Sequence, residues 1–148
     1  MNVGSQGFYL DSNEDSWLWV VKEIEEYPNT EYWISYKDFA RPVIKAGIDT
    51  ELHQHFRAGF SMEHIIFSTA DRRLELYDPP IPRVTLIARS APRQIAWSRQ
   101  NLHFHEPERS QVVDAENAFV VLKSFLIDLW RETRQNENLP KALQSMDG

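Results

Sequence analysis

Apolar residues first recur at helical spacing shortly after the N-terminus. Within residues 15–27 they stand three or four positions apart, which places them on one face of a helix. These residues are Trp17, Val20, Val21, Ile24 and Tyr27. Ser12, with an acidic residue three positions later, matches a capping box, and Pro28 cannot continue a helix. The pattern therefore predicts a helix over 15–27 that is capped by Ser12.

The next segment alternates between apolar and polar side chains. Every second position from 32 to 36 is aromatic or aliphatic: Tyr32, Ile34 and Tyr36. Alternation of this kind places the apolar side chains on one face of a strand, so we expect a strand over 31–37. Pro42 and Gly47 interrupt the stretch that follows, and residues 38–49 are expected to be irregular.

Short apolar or alternating runs occupy the middle of the chain and predict strands. The expected strands are 63–69, 73–77, 83–89 and 93–105. A short helix over 51–58 precedes them, because Leu52 and Phe56 form an apolar pair at i, i+4 spacing. The segments between these strands are too short for helical crossovers, so neighbouring strands are expected to pair antiparallel.

A long helical pattern lies near the C-terminus. Asp114 is the expected N-cap of a helix over 115–134. Its apolar residues cover more than half of its circumference, as in a helix that lies across a sheet. They are Ala118, Phe119, Val121, Leu122, Phe125, Leu126, Leu129 and Trp130. Residues 135–148 are polar with one proline, and we expect them to form a flexible tail.

The order of these elements predicts an α+β fold. Strands that are grouped together, with helices before and after them, indicate helices packed on a sheet. We expect a single globular domain over 1–134, in which an antiparallel sheet of about four to six strands packs against an N-terminal helix and a long C-terminal helix.

Composition narrows the functional classes. The chain has 148 residues and no cysteine, so it forms no disulfide, thiolate metal site or cysteine nucleophile. Its five glycines form no phosphate-binding loop, and we expect no cofactor. No apolar run approaches the length of a membrane span, and the first residues lack the basic and apolar regions of a secretory signal. A cytoplasmic location is therefore the expectation.

Acidic residues are concentrated in the first third of the chain. The net charge is −6, and residues 1–50 carry nine acids and four bases, whereas residues 51–109 carry seven acids and eight arginines. This distribution favours a basic protein partner over nucleic acid; a surface that serves only solubility is the alternative. Several arginines flank the predicted strands, near Trp97. The favoured explanation is that they form cross-strand ion pairs, and the weaker alternative is that they bind single-stranded nucleic acid.

Two His-x-His pairs are the candidate metal ligands. His103 and His105 would face the same side of a strand, with Glu108 as a nearby carboxylate. This short motif resembles the metal-binding pattern of cupins, which implies a carboxylate–histidine site, although here a proline and a predicted helix follow it. The alternative is that both histidines lie on the solvent-facing side of a strand and bind no metal. His53 and His55 lie on a predicted helix, where positions two apart diverge by about 200° and cannot share a metal.

Trp19 departs from the apolar face of the first predicted helix. It points away from that face and stands near Glu23 and Glu26, with Asp15 one turn earlier. An exposed tryptophan among acids has the character of a hot spot for a basic partner. Packing of Trp19 against residues 8–10 is the alternative. We predict that these four residues form a partner-binding surface.

The leading hypothesis is a non-enzymatic protein-binding module. In size, charge and composition the chain is similar to bacterial immunity proteins, which implies an antitoxin-type role in which an acidic, aromatic surface occludes a basic toxin. We expect a monomer or a dimer that binds another protein and no membrane. A secretion chaperone that holds a segment of an effector is the first alternative. The second is a small metalloenzyme that uses His103, His105 and Glu108.

Overall fold

The computed structural model describes residues 12–61, 64–69, 82–88, 92–99, 106–135 and 137–144. The helices are α1 (Asn13–Glu26), α2 (Glu31–Asp49), α3 (Ala118–Thr133) and α4 (Lys141–Gln144). The strands are β1 (Arg57–Ser61), β2 (His64–Ser68), β3 (Arg83–Ile87), β4 (Gln94–Ser98) and β5 (Arg109–Val112). They form a five-stranded antiparallel sheet with packed helices, which confirms the α+β prediction. None of the helices in these ranges combines the length and apolar content that crossing a membrane requires.

α1 follows the predicted pattern. The Oγ of Ser12 accepts a hydrogen bond from the backbone N–H of Asp15 at 2.9 Å, which is the expected N-cap bond. Trp17, Val20 and Ile24 are buried, so the apolar stripe faces the core. The helix predicted over 15–27 is confirmed.

α2 occupies the segment for which the sequence predicts a strand over 31–37 and irregular structure over 38–49; both predictions are wrong. Its buried apolar and small residues are Tyr36, Phe39, Ala40, Val43, Ile44 and Gly47. Their spacing of three or four forms a helical stripe, whereas Tyr32 and Ile34 are exposed. Pro42 lies on the exposed side. Packing of the buried stripe outweighs the roughly 3 kcal/mol that an interior proline costs a helix.

A single 3₁₀ turn, Leu52–Gln54, stands where the sequence predicts a helix over 51–58. Glu51 has a left-handed backbone with φ 67°, which ends α2 and redirects the chain. Leu52 and Phe56 are both fully buried, so this apolar pair packs into the core as expected. The helix is shorter than predicted because β1 begins directly after the turn.

The five strands pair in chain order, and every pair is antiparallel. β2, β3 and β4 confirm the strands predicted over 63–69 and 83–89 and the first part of 93–105. The strand predicted over 73–77 and residues 100–105 lie outside the described residues. One sheet face supplies core residues from four strands: Phe60, Ile65, Phe67, Val84, Leu86, Ile95 and Trp97.

α3 confirms the C-terminal helix, with a later start than predicted. Asp114 caps the turn before it: its Oδ1 accepts hydrogen bonds from the N–H groups of Glu116 and Asn117, both at 2.9 Å. The Oδ1 of Asn117 in turn accepts from the N–H of Asp114 at 2.8 Å. α3 packs against β3 and β4. Leu143 of α4, within the segment for which the sequence predicts a tail, is fully buried.

The two edges of the sheet lie in different environments. At β1, α1 covers the edge: the Oγ of Ser16 accepts from the N–H of Ala58 at 2.9 Å, and the Nε1 of Trp17 donates to the carbonyl of Phe56 at 2.8 Å. At the other edge, all four residues of β5 are exposed, and within the described ranges no strand pairs with its outer side. The sheet is closed at β1 and open at β5.

Candidate partner-binding site

The residues predicted as a partner-binding surface lie on one stripe of α1. Asp15, Trp19, Glu23 and Glu26 are four, four and three positions apart, so they project from the same side of the helix. Asp15 and Glu26 are exposed, and Glu23 is half-buried. Lys22 is exposed on the same side and offsets part of the negative charge.

Trp19 lies at the boundary between α1 and the sheet. It is half-buried, and its ring packs edge-on against Phe60 of β1 with 5.6 Å between centroids. Residues 8–10, the alternative contact for this tryptophan, lie outside the described residues. Trp19 therefore helps to hold α1 on β1 and presents only part of its surface to a partner.

His103 and His105 lie outside the described residues, so the metal site stays a prediction. Glu108, the third candidate ligand, is exposed and accepts a hydrogen bond from the backbone N–H of Arg99 at 3.2 Å. In the part of the chain that the structure describes, no three His, Asp or Glu side chains gather closely enough to hold a metal ion.

The earlier histidines lie at the 3₁₀ turn. His55 packs edge-on against Trp130 of α3, with 6.2 Å between ring centroids. Burial lowers the pKa of His55, the nearby Glu51 opposes this shift, and His53 adds to it. Burial thus favours the neutral imidazole, and His55 serves as a packing contact between the turn and α3.

Arginines near the sheet are held by contacts within the protein. Arg83 is fully buried. Arg99 pairs with Glu132 at 3.1 Å, and its guanidinium lies 5.0 Å from the ring centroid of Trp97. The contacts of Arg99 with Glu132 and Trp97, and the burial of Arg83, explain these arginines without a phosphate ligand.

An open groove of about 870 Å³ lies between the first half of α2 and the β5 end of the sheet. Its apolar floor consists of Ile34 and Phe39 from α2 and Val112 and Val113 from β5 and the residue after it. Phe39 and Val113 are buried, but Ile34 is 43% exposed and Val112 is 60% exposed. Exposed aliphatic side chains that line a concave surface are typical of binding sites. We name this feature the α2–β5 groove.

Carboxylates surround the floor of the α2–β5 groove. Glu31 and Asp38 come from α2, and Asp114 comes from the turn before α3; all three are exposed. Glu31 and Asp38 form neither an ion pair nor a side-chain hydrogen bond with any other residue of the described ranges. Both carboxylates are therefore available to a cationic ligand.

Arg93 also lines the groove, but its guanidinium is fixed in place. Its Nη2 donates to the Oγ of Ser35 at 2.7 Å and to the carbonyl of the same residue at 3.3 Å, and its Nε donates to the carbonyl of Ala88 at 3.2 Å. The guanidinium carbon lies 4.8 Å from the ring centroid of Phe39. Arg93 joins α2 to the start of β4 and so holds the two walls of the groove together.

The sequence contains a signal for this groove that the strand prediction over 31–37 conceals. On a helix, Ile34 falls outside the buried stripe, so it is an exposed apolar residue that needs an explanation.

Comparisons with protein-family models, with curated proteins and with solved structures find no match. The groove and the acidic stripe of α1 are thus the features of the described residues that indicate a function.

Proposed function

We propose that the protein is a non-enzymatic binding module that occludes a basic partner protein, in the manner of a bacterial immunity or antitoxin-type protein of the cytoplasm. The observation that carries the proposal is the α2–β5 groove, which combines exposed aliphatic side chains with the exposed carboxylates of Glu31 and Asp38, for which the described residues provide no ion-pair partner. A basic partner satisfies both features, because cationic side chains meet the carboxylates while apolar ones cover the floor.

Charge and apolar surface contribute to different steps of such binding. Exposed acids raise the rate of encounter with a cationic surface, and salt screens this effect. Burial of Ile34 and Val112 would add the desolvated centre that slows dissociation. The acids on α1 extend the negative field, and the net charge of −6 acts in the same direction.

The first experiment isolates the partner from the native organism at low salt and measures association kinetics with the purified proteins. Replacing Glu31 and Asp38 by lysine together should slow association by about tenfold or more at low salt and flatten its salt dependence. The charge-matched control replaces Asp49 and Glu137 by lysine; these are exposed acids outside the groove that pair with Lys45 and Arg134, and their replacement should change the rate much less. Equal effects of the two double variants would remove the groove from the proposal.

The α1 surface has its own test. Replacing Glu23 and Glu26 by lysine leaves the groove intact while changing the net charge by the same amount. If the predicted stripe around Trp19 contacts the partner, this variant also slows association and flattens its salt dependence. Association as fast as in the control variant would show that this stripe is not part of the interface.

A secretion chaperone is the second candidate, and the α2–β5 groove favours it as well. Such a chaperone holds an extended segment of its partner, and an apolar groove beside an exposed strand edge can accept such a segment. Measurement of mass in solution and limited proteolysis of the complex separate the candidates. A dimer that protects a short, extended partner segment supports the chaperone, whereas a complex with a folded basic domain supports the immunity-type role.

A further inference from the structure

The open edge of β5 presents backbone groups that can extend the sheet. The N–H of Val113 donates to the carbonyl of Arg93 at 2.9 Å, and Gln94 stands opposite Val112. In an antiparallel ladder, residues that bond to the facing strand alternate with residues that turn their N–H and C=O groups away. Ser110 and Val112 therefore direct their backbone groups outward, and both residues are exposed.

Within the described residues, β5 has little of the usual protection against strand pairing beyond its short length of four residues. Exposed edges are commonly blocked by a lysine, a proline, a bulge or a covering element. β5 has the sequence Arg-Ser-Gln-Val, without lysine or proline. Its one charged residue, Arg109, pairs with Asp128, and its guanidinium carbon lies 4.1 Å from the ring centroid of Phe125. The charge of Arg109 is thus directed toward α3 and leaves the backbone edge accessible.

We infer that β5 and the α2–β5 groove form one docking site, at which an extended, basic segment of a partner protein adds a strand to the sheet. The backbone of the segment bonds to Ser110 and Val112. Because side chains of a strand alternate, every second residue can enter the groove, and its neighbours remain outside. An aliphatic side chain fits against Ile34, and lysine or arginine reaches Glu31 or Asp38.

Charge argues against a second copy of this chain as the occupant. Two copies that paired through β5 would bring two acidic grooves together, each with the exposed carboxylates of Glu31, Asp38 and Asp114. Like charges at close range oppose association. A cationic partner segment removes this repulsion. This inference rests on the proposed protein-binding function and specifies the form of the segment that is bound.

The test uses a fluorescein-labelled peptide of seven residues, Lys-Ser-Val-Ser-Lys-Ser-Val, with fluorescence anisotropy as the readout. Its lysines and valines stand at every second position, so they face the same side of a strand and can enter the groove together. We call it the lysine–valine peptide. A glutamate–valine peptide is the charge control. A lysine–valine peptide with N-methyl groups on all its backbone nitrogens keeps the side chains but cannot donate hydrogen bonds to the edge. The inference predicts that only the unmodified lysine–valine peptide binds well, and that N-methylation weakens binding by about tenfold or more.

A substitution in the protein provides the complementary test. Val112→Pro removes an outward N–H that the ladder to β4 does not use, and it should weaken binding of the lysine–valine peptide by about tenfold. If Val112→Pro unfolds the protein, as circular dichroism would reveal, amide exchange of Ser110 and Val112 in the unsubstituted protein replaces it. Strand addition slows exchange at both amides.

The outcomes separate this inference from the proposed function. No binding of the lysine–valine peptide, equal binding of the N-methylated peptide, or unchanged exchange at Ser110 and Val112 would each overturn strand addition. The binding function would still stand if the isolated partner lost association rate through the double replacement of Glu31 and Asp38. If neither the peptide nor the partner responds to that replacement, both proposals fail.

Discussion

Gly47 of α2 is the point of closest approach between α2 and α1. A methyl group added there would lie 2.6 Å from Cζ3 and 2.8 Å from Cη2 of Trp17. Ordinary van der Waals contact begins near 3.4 Å, so the ring and the helix would have to separate by about 0.8 Å. Glycine is disfavoured inside helices, and its presence at this buried position is explained by the ring that packs against it.

Trp17 cannot move away easily, because it is confined on its other sides. It is fully buried, its Nε1 donates to the carbonyl of Phe56 at 2.8 Å, and its ring lies 5.1 Å from that of Phe67. Overpacking of a core costs about 1–3 kcal/mol, and alanine gains about 1 kcal/mol over glycine in helix propensity. Because the overlap is about 0.8 Å against a confined ring, we place its cost in the upper part of that range, at about 2–3 kcal/mol. After the gain in helix propensity, Gly47→Ala should lower the free energy of unfolding by about 1–2 kcal/mol.

Urea unfolding, followed by circular dichroism, measures this change. The control is the same substitution in a Trp17→Leu background, where the ring is absent and alanine at position 47 should stabilise by up to about 1 kcal/mol. The two backgrounds should thus give opposite signs. If Gly47→Ala in the unsubstituted protein were as stable as its parent, with an unchanged denaturant dependence, the packing argument would be refuted.

Three further predictions concern stability and metal binding. Ser16→Ala leaves the buried N–H of Ala58 without its acceptor and should lower the free energy of unfolding in urea by about 1–3 kcal/mol. Ser124→Ala, which removes only a part-buried bond to the carbonyl of Val121, should lower it less. Equal losses for the two variants would contradict the role of the Ser16 hydroxyl. Burial lowers the pKa of His55, so on acidification the unfolded state binds the proton before the folded state does, and stability falls as the pH decreases through the ordinary histidine range. His55→Gln should therefore flatten the dependence of the free energy of unfolding on pH. An unchanged pH profile would exclude this histidine as a cause. Protein purified without an affinity tag should contain no stoichiometric metal by mass spectrometry, and a metal that His103→Ala removes would contradict this expectation.

The sequence predicts α1 and α3 well because each has an apolar stripe that follows a polar residue able to close a turn. Ser12 caps α1 as expected. Asp114 does not cap α3 directly. Its side chain accepts hydrogen bonds from the N–H groups of Glu116 and Asn117, in the turn that precedes the helix. Local chemistry of this kind can be inferred from neighbouring residues, because every partner lies within one or two turns of the chain.

The same approach fails for α2, and the reason bears on function. Tyr32, Ile34 and Tyr36 alternate as a strand would, but only Tyr36 belongs to the buried stripe. Ile34 is apolar and exposed, and it lines the groove. An apolar residue at an exposed position makes the segment look like a strand and hides the helical spacing of the buried residues. The candidate site is therefore one cause of the wrong prediction.

β5 and the groove depend on contacts that the sequence pattern does not contain. All four side chains of β5 are exposed, and only Val112 is apolar. The segment therefore shows no alternation of apolar and polar residues that would predict a strand. The bond between Arg93 and Ser35 joins residues that are 58 positions apart. No periodicity links such positions, so a single sequence cannot predict the walls of the groove.

The closed edge at β1 determines how many molecules can join through the sheet. End-to-end growth of a sheet requires β1 of one molecule to pair with β5 of the next, and such head-to-tail contacts propagate without limit. α1 blocks this pairing, since Ser16 and Trp17 already bond to the backbone of Ala58 and Phe56. A strand that adds at β5 therefore cannot be followed by head-to-tail growth of the sheet through further copies of this protein.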